Sequence, residues 1–131
     1  MRSFGVTIQL RGSSYAPDED RRQIGRLVAA QQVQGLLLAP SLLRYEMASV
    51  CAVKLRRDPK SARPTLLRYR LLSGLDIEYV DPEWESLPLL ARQWDISAYD
   101  AAYLQLALQR GVPLVTLDVR LATAYDKASR H

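Results

Sequence analysis

Three acids in this 131-residue sequence stand where packing alone would favour an apolar side chain: Glu46, Asp100 and Asp118. Glu46 shares a helical face with Leu42, Leu43, Val50 and Val53, so its carboxylate emerges from an apolar stripe. A charge there is costly unless it is paired or meets a cation, and a nearby arginine is the ordinary structural explanation. Asp100 follows Ser97 by three residues in SAYDAAYLQLAL, the spacing of a helix capping box. It also shares its face with Tyr103, Leu104 and Ala107, whereas Gln105 and Gln109 take the opposite, wetter side. Asp118 closes the run VPLVTLD, with Thr116 on the same side by strand alternation. It is placed either to cap the helix that follows or to act as a ligand at the carboxyl end of a strand. Gathered carboxylates suit a hard divalent cation, which reconciles their repulsion and can activate a water molecule. A Ser-His-Asp arrangement is excluded because the single histidine, His131, is terminal, and the sequence has no Gly-rich phosphate loop.

The elements that must carry these acids alternate between strand and helix. Residues 4–10 predict a first strand, followed by a Gly-Ser-Ser turn. Residues 18–34 predict a helix with acids in its first turn, with Ile24, Leu27, Val28 and Gln31 on one face and Gly35 as its stop. Residues 36–39 (LLLA) show no polar alternation, as expected of a parallel strand covered on both faces. Pro40 and Ser41 open a helix that Asp58-Pro59 ends, and residues 61–72 predict another, stopped by Ser73-Gly74. A strand over 76–81, a helix over 83–94 broken at Pro88, a helix over 97–110 closed by Gly111, a strand over 112–117 and a short terminal helix complete the chain. This order predicts one domain over residues 1–131, a three-layer α/β/α fold around a parallel sheet of about four strands. Ligands in such a fold bind beyond the carboxyl ends of the strands.

Charge is segregated along the sequence. The net charge is +4, and Lys54, Arg56, Arg57, Lys60, Arg63, Arg68 and Arg70 crowd a window whose only acid is Asp58. Asp76, Glu78, Asp81, Glu83 and Glu85 follow directly. Such a basic patch fits an RNA backbone, an acidic partner protein or a plain solvated helix face. The lone cysteine, Cys51, excludes an internal disulfide framework and reads as a buried, inert thiol. No apolar run approaches the roughly 20 residues needed to span a bilayer, no secretory pattern opens the sequence, and a cytoplasmic location is expected.

The segments APSLLRYEMASV (39–50), LARQWDISAYDAAYLQLAL (90–108) and GVPLVTLDVRLATAY (111–125) resemble the three conserved blocks of PIN-domain proteins, specifically the VapC toxins of toxin–antitoxin pairs. The likeness spans residues from about 36 to 125. It implies an endoribonuclease dependent on Mg2+ or Mn2+, often a homodimer, inhibited by a cognate antitoxin. By position, Glu46, Asp100 and Asp118 match family metal-site acids, and Thr116 matches the hydroxyl two residues before the last of them. The family's acid at the end of the first strand has no counterpart: FGVTIQL (4–10) contains none, its place falls near Thr7, and residues 1–20 are unlike the family generally. Asp18 and Asp20 could substitute only by folding back over the site. Two expectations stay open. One is a metal-dependent RNA hydrolase in which Arg56, Arg57, Lys60 and Arg63 attract RNA; the other is a catalytically silent module that binds an antitoxin or RNA. Tyr15, Tyr69, Trp84 and Trp94 could supply a dimer interface or simply pack. A phosphotransfer receiver domain is a weaker reading, because it needs an acidic pair after the first strand.

Overall fold

The structure, a computed structural model, describes residues 6–8, 37–116 and 118–130. Four short strands pair in parallel in the order β3-β2-β1-β4: β1 (Val6–Ile8), β2 (Leu37–Ala39), β3 (Ile77–Tyr79) and β4 (Leu114–Val115). The expected α/β architecture with a four-stranded parallel sheet is what the chain adopts. Thr7, in the middle of β1, pairs with Leu38 on one side and Leu114 on the other. β2 is covered on both faces, as its unbroken apolar run requires. Leu37 and Ala39 pack with Leu43, Met47, Tyr103 and Leu121, whereas Leu38 packs with Leu106 and Val112.

The last strand is shorter than its apolar run. Val112 is buried, and its N–H bonds back to Ala107 at 3.1 Å, finishing the preceding helix rather than starting a strand. Pro113 has no N–H to give the ladder, although its carbonyl accepts from Thr7 at 2.9 Å. Only Leu114 and Val115 remain to pair.

Helix α1 (Leu42–Arg57) leaves the end of β2 at Pro40 and buries Leu43, Met47 and Cys51. That face differs from the one expected from the sequence: Glu46 lies half-buried beside the stripe, not in its middle. Asp58-Pro59 ends the helix as expected, one 3-10 turn (Pro59–Ser61) intervenes, and α2 (Ala62–Ser73) folds back along α1. Pro88 does not break its helix. A 3-10 turn (Trp84–Ser86) precedes α3 (Leu87–Trp94), and the proline occupies the first turn, where its missing N–H costs nothing. Helix α4 (Ala98–Arg110) ends at Gly111, left-handed as expected with φ 62°, and α5 (Val119–Ala128) closes the fold. The expected helix over 18–34, its Gly35 stop, Tyr15, Asp18 and Asp20 lie outside the described residues.

Helix α4 is the centre of the molecule: every residue from 101 to 107 is buried. This overturns the assignment of Gln105 to a wet face. Its amide instead accepts from the Glu83 N–H at 2.8 Å and donates to the Glu83 carbonyl at 3.1 Å and the Ser86 hydroxyl at 3.0 Å. Both ends of the amide are satisfied inside the protein, and Gln109 alone of the two glutamines is exposed. Of the aromatic residues considered for an interface, Tyr69 and Trp94 pack against the core, whereas Trp84 is exposed.

Candidate active site

Three helix beginnings supply the acids: the second turn of α1 carries Glu46, the first turn of α4 carries Asp100, and Asp118 immediately precedes α5. Two links hold these beginnings together. The phenol of Tyr103, one turn after Asp100, reaches from α4 to α1 and donates a hydrogen bond to Glu46 Oε1. Arg120, in the first turn of α5, donates to the Asp95 carbonyl at 2.6 Å and to Asp95 Oδ2 at 3.1 Å, tying α5 to the turn that leads into α4.

The Asp100 charge acts on Glu46. Burial pushes the Glu46 carboxyl above its ordinary value and the Asp100 charge adds to the rise, while the Tyr103 hydrogen bond pulls it down. Tyr103 is wholly buried, and burial, the Glu46 charge and its hydrogen bond to Glu46 hold its phenol far above the usual range. The phenol is therefore a permanent donor. The backbone N–H of Asp100 donates to Ser97 Oγ at 3.0 Å, so the capping interaction expected from the spacing is present alongside the acid's inward placement.

Asp118 is also a cap. Its Oδ1 accepts from the N–H groups of Arg120 at 2.9 Å and Leu121 at 3.2 Å. Thr116 does not reach Asp118 through strand alternation, because β4 stops at Val115; instead its buried hydroxyl accepts from the Asp118 N–H at 3.0 Å and fixes the turn. Among the described residues no three Asp, Glu, His or Cys side chains lie close enough together to hold a metal ion. Thr7, in β1, is wholly buried, and its hydroxyl has no hydrogen-bond partner among the described residues.

A hard divalent cation would relieve the repulsion between the Glu46 and Asp100 charges, but the described residues alone do not assemble a set of acids that could hold one. Thr7 offers only a neutral oxygen. The basic residues Arg56, Arg57, Lys60 and Arg63 are all surface residues around the α1–α2 corner. Arg56 lies ten residues beyond Glu46 on one helix, a rise of about 15 Å. The helix thus separates Arg56 from Glu46.

A profile of the PIN domain family matches residues 14–127, a span that takes in all three acids and begins after β1. The chain belongs to the PIN domain family. PIN domains are typically nucleases and generally depend on divalent metal ions. No curated protein matches the chain significantly. Sequence reasoning missed two residues that tie together the elements carrying these acids. Tyr103 carried a signal, since a tyrosine on the inner face of a helix needs a partner for its hydroxyl. Arg120 carried none; its role depends on how α4 and α5 meet.

Proposed function

We propose that this PIN domain is a metal-dependent endoribonuclease of the VapC toxin type, hydrolysing RNA phosphodiesters under the control of an antitoxin. The observation that supports the reading is the half-buried Glu46 carboxylate, held by the Tyr103 hydroxyl and acted on by the Asp100 charge, negative charge that a cation would offset. Glu46 and Asp100 would hold Mg2+ or Mn2+, with Asp118 the further acid of the set. When bound, the cation supplies Lewis acidity toward the phosphodiester and the water that attacks it. The chain's own residues do the rest. Tyr103 holds Glu46, Thr116 and the cap hold the Asp118 turn, and Arg56, Arg57, Lys60 and Arg63 attract the RNA backbone. A cytoplasmic homodimer is part of the same reading, with exposed Trp84 available at its surface.

A second reading, a catalytically silent module that binds RNA or an antitoxin, is favoured by Thr7 standing near the place of an acid and by the use of Asp118 Oδ1 as a cap. One experiment separates them: incubation of a mixed RNA pool with the purified, antitoxin-free protein in Mn2+, in EDTA, and with Asp118→Asn. Cleavage that needs Mn2+ and is lost in Asp118→Asn supports the nuclease. Intact RNA with a folded sample supports the silent module.

A further inference from the structure

Trp84 leaves 69% of its surface in solvent, although tryptophan is on average a well-buried residue. Tryptophans presented outward are among the side chains that most often dominate protein–protein contacts. This one is also held firmly. The buried Gln105 amide accepts from the Glu83 N–H at 2.8 Å and donates to the Glu83 carbonyl at 3.1 Å and to Ser86 Oγ at 3.0 Å. The turn that displays the indole is therefore anchored on both sides of it, and a side chain on a fixed backbone has less freedom to lose on binding. Its setting is acidic: Asp81, Glu83 and Glu85 are exposed, and residues 71–91 contain no lysine or arginine.

The same chain carries a surface of the opposite character. Helices α1 and α2 enclose a shallow groove lined by Met47, Val50, Cys51 and Leu72 together with Lys54 and Arg68. Asp58 is the single acid between residues 47 and 75, and its carboxylate accepts from Ser61 Oγ at 2.7 Å. An apolar lining among cations matches an aromatic side chain set among carboxylates, whereas a bare phosphate backbone would gain nothing from the apolar part. No residue of 81–86 lines the groove, so the indole does not fill it within one chain. We propose that a second copy of this chain occupies it, with Trp84 of one protomer against the α1–α2 groove of its partner and the acids of the turn brought to Lys54 and Arg68. Each copy carries both halves, so two copies can make the contact twice. The inference rests on the homodimer of the reading above and supplies its interface.

Sedimentation equilibrium of the full chain over a range of concentrations, in EDTA and without RNA, reads the association directly, with thermal melts to confirm that each variant is folded. The wild type is expected to dimerise, and Trp84→Ala to dissociate at a concentration roughly 30-fold higher or more. Charge variants then identify the surface that the indole meets. Arg68→Glu puts an acid in the groove opposite the acidic turn, and Glu85→Arg puts a cation in the turn opposite the cationic groove. Each alone should weaken the dimer. An equimolar mixture of the two should restore it, because the altered groove then meets the altered turn and the unaltered groove meets the unaltered turn. Lys54→Glu takes the place of Arg68→Glu should the latter fail to fold. A dimer that Trp84→Ala does not weaken, or charge variants that do not recover on mixing, overturns this interface and leaves the homodimer standing. A wild-type chain that stays monomeric at every concentration overturns the homodimer and its interface together, and the RNA cleavage assay is read independently of either.

Discussion

Thr7 presents the simplest physical situation in the molecule, a hydroxyl taken wholly out of water with no hydrogen bond in return among the described residues. Valine has nearly the same shape and no polar atom to satisfy. Thr7→Val should therefore stabilise the protein by about 1 kcal/mol in a urea melt, and a loss of stability would reveal a partner for the hydroxyl. Glu46 gives the opposite kind of cost. Burial first, and then the charge of Asp100, hold its carboxyl above the ordinary value, against the pull of the Tyr103 hydrogen bond. The folded protein consequently binds this proton more tightly than the unfolded chain does. Its stabilising contribution is complete below the ordinary carboxylate value and is lost as the pH rises through the raised one. Glu46→Gln cannot titrate. Melting temperatures in EDTA should fall more from acid to neutral pH in the wild type than in Glu46→Gln, and parallel curves would rule this out.

Among the elements, α4 shows most clearly what the sequence disclosed and what it withheld. Its limits were legible because Ser97 accepts the capping bond and Gly111 takes the left-handed turn, both decided within a few residues. Nothing within 4 Å would meet a Cβ at Gly111, so Gly111→Ala should cost about 1 kcal/mol from backbone strain alone, measurable in denaturant. The fate of Gln105 was not legible, because its burial depends on the turn at Trp84–Ser86 folding over α4 from a distant part of the chain. The same division holds for the acids. The helices that carry Glu46 and Asp100 were legible, whereas the face on which Glu46 sits and its bond to Tyr103 depend on how α1 and α4 meet. The short strands follow this rule too: the apolar runs marked where strands lie, but Pro113 and the helix-ending bond of Val112 decided how much of the last run could pair.

At the scale of the whole molecule, the proposed RNA-attracting corner and the acids are separate features, and they should be separable by mutation. Reversing Arg56, Arg57, Lys60 and Arg63 to glutamate should weaken RNA binding and lower its salt dependence, by a slope of about 0.7 for each single-strand phosphate no longer neutralised. Mn2+ binding measured without RNA should be untouched. If the charge reversals leave the salt slope unchanged, the corner is an ordinary solvated surface. The sheet has a further consequence, in the timing of folding. β4 meets the other strands only through β1, so Thr7 must find Leu114 across nearly the whole length of the chain. Closing so long a loop is among the slowest steps a small domain can take, and it cannot begin on the ribosome until the last strand has emerged. Asp118 lies beyond that strand. A growing chain can therefore hold Glu46 against Tyr103 before β4 exists, whereas Asp118 follows only after that strand has been made.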